Sequence, residues 1–200
     1  MLYTVGRFLS RWIGRIFFAL SVEGEEHIPQ SGPVILAPNH VSYLDPVVVG
    51  SCVRRRVHFM AKKELFRNPL IGWFLRGLQA YPVTRERVDP STLKRTLSLL
   101  AAGQVILMFP EGTRGDGRAL APAKPGIAVI AARTGAAVVP VFHWGTEKVL
   151  PRGSRRVRWA PLRVRFGAPL RLDRDCTTDR NALEAFGGRL MEAIAALRPF

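Results

Sequence analysis

Acidic residues are scarce in this 200-residue chain: fifteen Asp and Glu stand against thirty Lys and Arg, a formal net charge of +15. Such a chain meets something anionic, whether nucleic acid, an anionic membrane or a phosphorylated substrate, and charge alone does not choose. Cysteine is nearly absent. Cys52 and Cys176 form no CxxC and no metal spacing, which excludes a disulfide scaffold and fits a reducing compartment. The four histidines, His27, His40, His58 and His143, show no HExxH or other zinc pattern, so no metal is expected. No internal repeat or low-complexity linker divides the chain. With 48% hydrophobic residues it can bury the core of one globular domain.

A charge-free apolar run long enough to span a bilayer is also lacking. The first twenty residues, MLYTVGRFLSRWIGRIFFAL, carry Arg7, Arg11 and Arg15 on one helical face. Three central arginines make a spanning helix expensive, at roughly 2.5 kcal/mol or more each. A signal peptide would place its charges before the apolar stretch and small residues after it. The pattern predicts an amphipathic helix lying in the membrane interface, with Trp12, Phe17 and Phe18 among the buried residues and Arg7, Arg11 and Arg15 at headgroup level. A core helix with a solvated arginine stripe is the other reading. The expected organisation is a membrane-anchoring helix over 1–22 and one domain over 23–200.

Strand and helix signals alternate after that segment. GPVILAP reads as a buried strand over 33–38, followed by a helix from Pro46 to about Val53. VHFMA reads as a short strand. A helical stretch from Lys63 to Gln79 is broken near Asn68-Pro69, and AYPVTR is extended. Asp89-Pro90 opens a helix in which Leu93, Leu97 and Leu100 recur until Gly103 stops it. QVILMFP is the clearest buried strand. GIAVIAARTG is a helix ending at Gly135, and AVVPVFHWG is a strand. PLRVRFGAPL alternates as a half-exposed strand does. Leu183, Phe186, Leu190, Ile194 and Leu197 mark a last helix. The pattern predicts an α/β fold with a central, mostly parallel or mixed sheet covered by helices.

Within NHVSYLDP, His40 and Asp45 stand five positions apart. On one straight helix they would lie about 140° apart and never meet. They meet only if the chain turns between them, with His40 leaving a strand and Asp45-Pro46 opening a helix as N-cap and first-turn proline. One carboxylate oxygen can then cap while the other holds the imidazole; the bland alternative is an Asp that only caps and a His that is an ordinary loop residue. In α/β sheets ligands bind beyond the carboxyl ends of strands. NHVSYLD, the TR of AYPVTR and the EGTR of FPEGTR all fall at such ends, which favours a catalytic His40. Glu111 and Arg114 could pair, and Gly112 lets backbone approach a ligand. Arg85 offers a fork that matches phosphate oxygens. Lys124, with Gly126, sits at a helix start that welcomes anions.

In this order NHVSYLD, AYPVTR, FPEGTR and VVPV resemble the four blocks of the glycerophospholipid acyltransferases, specifically the PlsC-like 1-acyl-glycerol-3-phosphate acyltransferases, over about Gly24 to Val141. The resemblance implies transfer of a fatty acyl group from a thioester of coenzyme A or acyl carrier protein onto a lysophospholipid hydroxyl, with no further cofactor. It implies His40 as general base and Asp45 as its partner. It places Arg85 in the acceptor-phosphate site, lined by Glu111, Gly112, Thr113 and Arg114, with Asn39, Ser42 and Lys124 also on the substrate. It implies work at the cytoplasmic face of the cell membrane as a peripheral or monotopic protein, in contact with anionic lipids. Gln79, Thr84 and Gly115 depart from the usual blocks near that acceptor site, so another acceptor, a lyso-aminolipid or lysophosphatidylglycerol, stays open. Ser42 is no hydrolase nucleophile by pattern, since no GxSxG elbow accompanies it. The reading from another class is a basic module without catalysis, built on the arginines from Arg152 to Arg174. No helix-turn-helix, zinc-finger or RNP pattern supports nucleic acid as its partner.

Overall fold

VILAP and VIL hold no polar residue at any alternate position, so strands made of them have no face to give to water. Both occupy the middle of a seven-stranded sheet. The computed structural model describes residues 2–83, 90–154 and 156–199. In chain order the elements are α1 (Leu2–Phe18), β1 (Ser21–Glu23), β2 (Val34–Pro38), α2 (Asp45–Ser51), β3 (Val57–Lys62), α3 (Pro69–Gly77) and β4 (Ala80–Val83). They continue with α4 (Pro90–Ala101), β5 (Val105–Leu107), α5 (Pro125–Thr134), β6 (Ala137–Trp144), α6 (Thr146–Val149), β7 (Arg163–Phe166) and α7 (Arg180–Ala196).

The strand order is β1-β7-β6-β2-β5-β3-β4. All neighbours are parallel except β6 and β7, which run antiparallel. The sheet is therefore mixed. The central register sets Val34 beside both Val105 and Ala137. Alternation along the strands then divides the core in two. Ile35, Ala37, Ile106 and Val138 face α4, α5 and α7, where Leu100, Ile127, Phe186, Leu190 and Ile194 pack. Val34, Leu36, Val105, Val139 and Val141 face the other side, against Val49, Cys52 and Val53 of the α2 region. The result is three layers, helix on sheet on helix.

Local chemistry sets the helix ends. The Asn68 side chain accepts from Leu70 N and Ile71 N at 3.0 and 3.2 Å, which starts α3 and explains the break before Pro69. Asp179 does the same for α7 through Ala182 N at 3.1 Å. Gly135 closes α5 at φ 64°, its N–H donating to Ala131 O. The short elements β1 and α6 were not expected from the sequence; three or four residues are too few to show a period.

Helix α1 forms as expected, with its apolar stripe left outward. Arg7 Nη1 donates to Val53 O at 2.9 Å, and Arg11 reaches Cys52 O at 3.2 Å and pairs with Glu25. These two arginines satisfy carbonyls just past the C-terminus of α2, where a cation is welcome. Phe18 packs inward against the α2-side core. Arg15 is exposed, and so are Val5, Phe8, Leu9, Trp12, Ile16 and Phe17. A guanidinium that can reach orphan carbonyls and a carboxylate outcompetes a solvated one, and the apolar stripe is left outward. Among the described residues no helix is long and apolar enough to cross a membrane.

Phe186 is fully buried between α7 and the sheet. Phe186→Ala should cost about 3–5 kcal/mol, because a large void there cannot collapse. Urea unfolding checks this, and a loss under about 1 kcal/mol would mean that α7 does not seal that face.

Candidate active site

Three neighbouring strands, β6, β2 and β5, deliver their carboxyl ends to one edge of the sheet. β2 ends at Pro38 and releases His40, β5 releases Phe109 and Glu111, and β6 carries His143 near its end. The chain does turn between His40 and Asp45, and the two meet: His40 Nδ1 lies 2.8 Å from Asp45 Oδ2. A carboxylate only accepts, so Nδ1 carries the proton and Nε2 is the nitrogen able to take one. The imidazole also stacks on Phe109, centroids 3.7 Å apart and planes 16° from parallel.

Asp45 is wholly buried. Its Oδ2 also accepts from Val41 N at 2.7 Å and Ser42 N at 2.8 Å, and its Oδ1 accepts from Thr146 Oγ1 at 2.7 Å. Burial pushes this carboxyl up. The neighbouring His143 and the hydrogen bonds from His40, Ser42 and Thr146 outweigh it and hold the group below its ordinary value. The expected N-cap role is not what Asp45 does. Pro46 stands in the first turn as predicted, but the carboxylate looks backward and closes the loop from His40 to Ser42.

The FPEGTR segment clamps His40 by its backbone. Glu111 Oε1 accepts from His40 N at 2.9 Å, and Gly115 N donates to His40 O at 2.8 Å. Glu111 Oε2 accepts from Ala121 N at 3.0 Å. Gly112 turns the segment at φ 72°, where a Cβ would also press on the Lys124 stem at 3.2 Å.

A family model described as Acyltransferase matches residues 19–144, more than half of the chain. The chain belongs to the acyltransferase family. It is 36% identical over 146 residues to a chloroplastic 1-acyl-sn-glycerol-3-phosphate acyltransferase of Arabidopsis thaliana, covering 70% of this chain and 40% of that one. It is 32% identical over 152 residues to the 1-acyl-sn-glycerol-3-phosphate acyltransferase of Bacillus subtilis, covering 76% and 73%. The crystal structure of PlsC, the 1-acyl-sn-glycerophosphate acyltransferase of Thermotoga maritima, superposes with a TM-score of 0.78 at 27% identity. That match covers 98% of this chain and 79% of the other. The chain thus spans about half the length of the plant relatives, 40% and 50%, and nearly three quarters of the bacillary one.

Several residues expected on substrate also have partners within the protein. Asn39 is tied to β6 by both ends of its amide: Nδ2 donates to His143 O at 3.0 Å and Oδ1 accepts from His143 N at 2.9 Å. Ser42 is buried and donates to Leu150 O at 3.0 Å. Glu111 is buried with both oxygens on amides, so it does not pair with Arg114, whose guanidinium lies 3.6 Å over the Tyr43 ring. Each of Asn39, Ser42 and Glu111 has a backbone group as its partner. Gly112, Thr113 and Lys124 are exposed beside the site. Arg85 lies outside the described residues; β4, which it follows, is the edge strand two places from β5. Among the described residues no group of three or more His, Cys, Asp and Glu is arranged to hold a metal.

Two site residues escaped the sequence reading. His143 is fully buried, with Nε2 2.8 Å from Asn39 O and 3.7 Å from Asp45 Oδ2, and Thr146 supplies the hydroxyl already described. One signal was available: a lone histidine near the end of an apolar strand, at the same sheet edge as the motifs.

Asp45→Asn should destabilise the fold by about 3 kcal/mol near neutral pH, because an amide offers protons to donors already pointing at it. The folded value of Asp45 lies below the ordinary 3.8. Its stabilisation is therefore fully present above about pH 4 and is lost as the pH falls through the folded value. The gap between the two proteins should narrow below about pH 4 in acid-unfolding curves. A gap independent of pH would mean that Asp45 is not the ionised group described.

Proposed function

We propose that this acyltransferase moves a fatty acyl group from a thioester of coenzyme A or acyl carrier protein to the free hydroxyl of 1-acyl-glycerol-3-phosphate, giving phosphatidic acid. The observation that carries the reading is the His40–Asp45 pair, 2.8 Å apart at the carboxyl edge of the sheet. The names of the relatives support the acceptor.

A glycerol hydroxyl is a poor nucleophile until a base removes its proton, whereas a thioester is already activated. His40 Nε2 takes the proton as the hydroxyl oxygen attacks the thioester carbonyl. The new C–O bond forms, the C–S bond breaks, and the imidazolium returns the proton to the departing thiolate. Asp45 fixes the tautomer and stabilises the imidazolium. Arg114, held over Tyr43 one residue before the Gly115 amide that grips His40, is the best-placed cation for the acceptor phosphate. Arg85 and Lys124 serve the same anion, and Gly112 and Thr113 border it.

The same reading puts the protein on the cytoplasmic face of a membrane. The outward stripe of α1 is apolar, and α1 adjoins α3: Leu2 lies against Gly77 and Leu78 against Gly6. Helix α3 adds Leu70, Trp73 and Phe74, all exposed. Two helices with outward aromatic and aliphatic side chains suit the acyl region of one leaflet, and the net positive charge suits anionic headgroups.

Purified protein should convert lysophosphatidic acid and an acyl thioester to phosphatidic acid by mass analysis, with acceptor panels including lysophosphatidylglycerol and lyso-aminolipids. His40→Ala should lose about 10²–10⁴-fold in turnover and stay folded. Near-normal turnover in the folded variant would refute the mechanism. Arg114→Ala should raise the acceptor KM more than the donor KM, since a lost ground-state contact weakens that substrate alone.

Phe8→Ser with Trp12→Ser should float poorly with anionic liposomes and keep activity on a soluble short-chain acceptor. Unchanged flotation would place the membrane contact elsewhere.

A further inference from the structure

The second oxygen of Asp45 is held by a residue that no motif includes. Thr146 opens the four-residue helix α6, just after Gly145 at φ 97°. A Cβ on Gly145 would meet Pro161 O at 2.1 Å, so only glycine lets the chain turn from β6 onto Asp45 at this point. Thr146 is fully buried, and its Oγ1 lies 2.7 Å from Asp45 Oδ1. That hydroxyl is also 3.4 Å from His143 Nδ1, while His143 Nε2 faces Asn39 O at 2.8 Å. A carbonyl accepts only, so Nε2 donates there. His143 is thereby wedged between the strand that ends in the His40 loop and the hydroxyl that holds Asp45.

We propose that Thr146 is a positioning residue for the His40–Asp45 pair. Thr146 fixes the carboxylate plane from the side opposite His40, while His143 Nε2–H donates to the backbone of Asn39, next to His40. This rests on the proposed use of His40 as a base, but the positioning itself is a property of the resting protein. Without the hydroxyl, Asp45 Oδ1 would be a buried acceptor with no donor, and the carboxylate would rotate to seek one. His40 Nδ1 would then lose its fixed partner. The groups that face the carboxylate are His40 from the loop, His143 from β6 and the Val41 and Ser42 amides. Glu147 of α6 is turned back onto Gly145 N at 2.8 Å, and α2 has no other titratable residue.

The test compares Thr146→Val, which keeps shape and removes the hydroxyl, with Thr146→Ser, which keeps the hydroxyl. The first readout is the downfield proton resonance of His40 Nδ1–H, assigned by its loss in His40→Ala. It should persist in wild type and Thr146→Ser, and should shift upfield or vanish by exchange in Thr146→Val. The second readout is steady-state kinetics. Thr146→Val should lose roughly ten- to a hundredfold in kcat with both KM values nearly unchanged, the scale on which a mis-set group loses rate. Thr146→Ser should recover most of it. If Thr146→Val does not fold, Thr146→Ala is read against Thr146→Ser in the same way. An unmoved resonance and an unchanged kcat in a folded variant lacking the hydroxyl would overturn the proposal. If wild type transfers no acyl group, the proposed function fails, and the resonance alone still decides whether Thr146 positions the pair.

Discussion

An ionised carboxylate in a protein interior loses its water, and the loss costs several kcal/mol unless protein groups replace the missing donors. Asp45 is such a group, and four donors converge on it: an imidazole, two amides and a hydroxyl. They come from the loop after β2 and from α6 after β6, segments separated by a hundred residues of chain. Satisfying one buried charge therefore ties the sheet edge together. The turn that brings His40 round, the glycine that aims Thr146 and the burial of His143 all follow from that requirement. His40 thereby has its tautomer set in the resting protein, with Nε2 as the nitrogen able to accept a proton.

Much of the fold was legible because β2, β5 and β6 are apolar runs bounded by turn residues, and because Asn68, Gly103 and Gly135 punctuate the helices as their chemistry demands. The meeting of His40 and Asp45 was also legible, from the awkward spacing and the strand-to-helix turn it requires. Asn39, Ser42 and Glu111 were expected on the substrate, and the structure gives each a partner within the protein. A sequence shows that a side chain can hydrogen-bond; it does not show which backbone group stands nearest. His143 and Thr146 stayed hidden for a related reason. Their meaning comes from parallel pairing of β2 with β6, a contact across about a hundred positions that periodicity does not report.

Helix α1 shows the same limit in another form. Amphipathic periodicity reveals that a helix has two faces but leaves open which face meets the protein. Here the arginines are used on the α2 terminus and Glu25, so the apolar stripe turns outward. The opposite arrangement, apolar side inward, would leave the carbonyls beyond α2 without these donors.

The backbone of His40 is held at its N–H by Glu111 and at its C=O by Gly115, and Arg114 lies between those two positions in the chain. His40 and the segment that carries Arg114 are thus joined through the His40 backbone. Side chains at the rim of that segment, such as Tyr43 and Arg114, can change without touching either of these two hydrogen bonds. Changes in loop length between 111 and 115 would unseat the base at the same stroke.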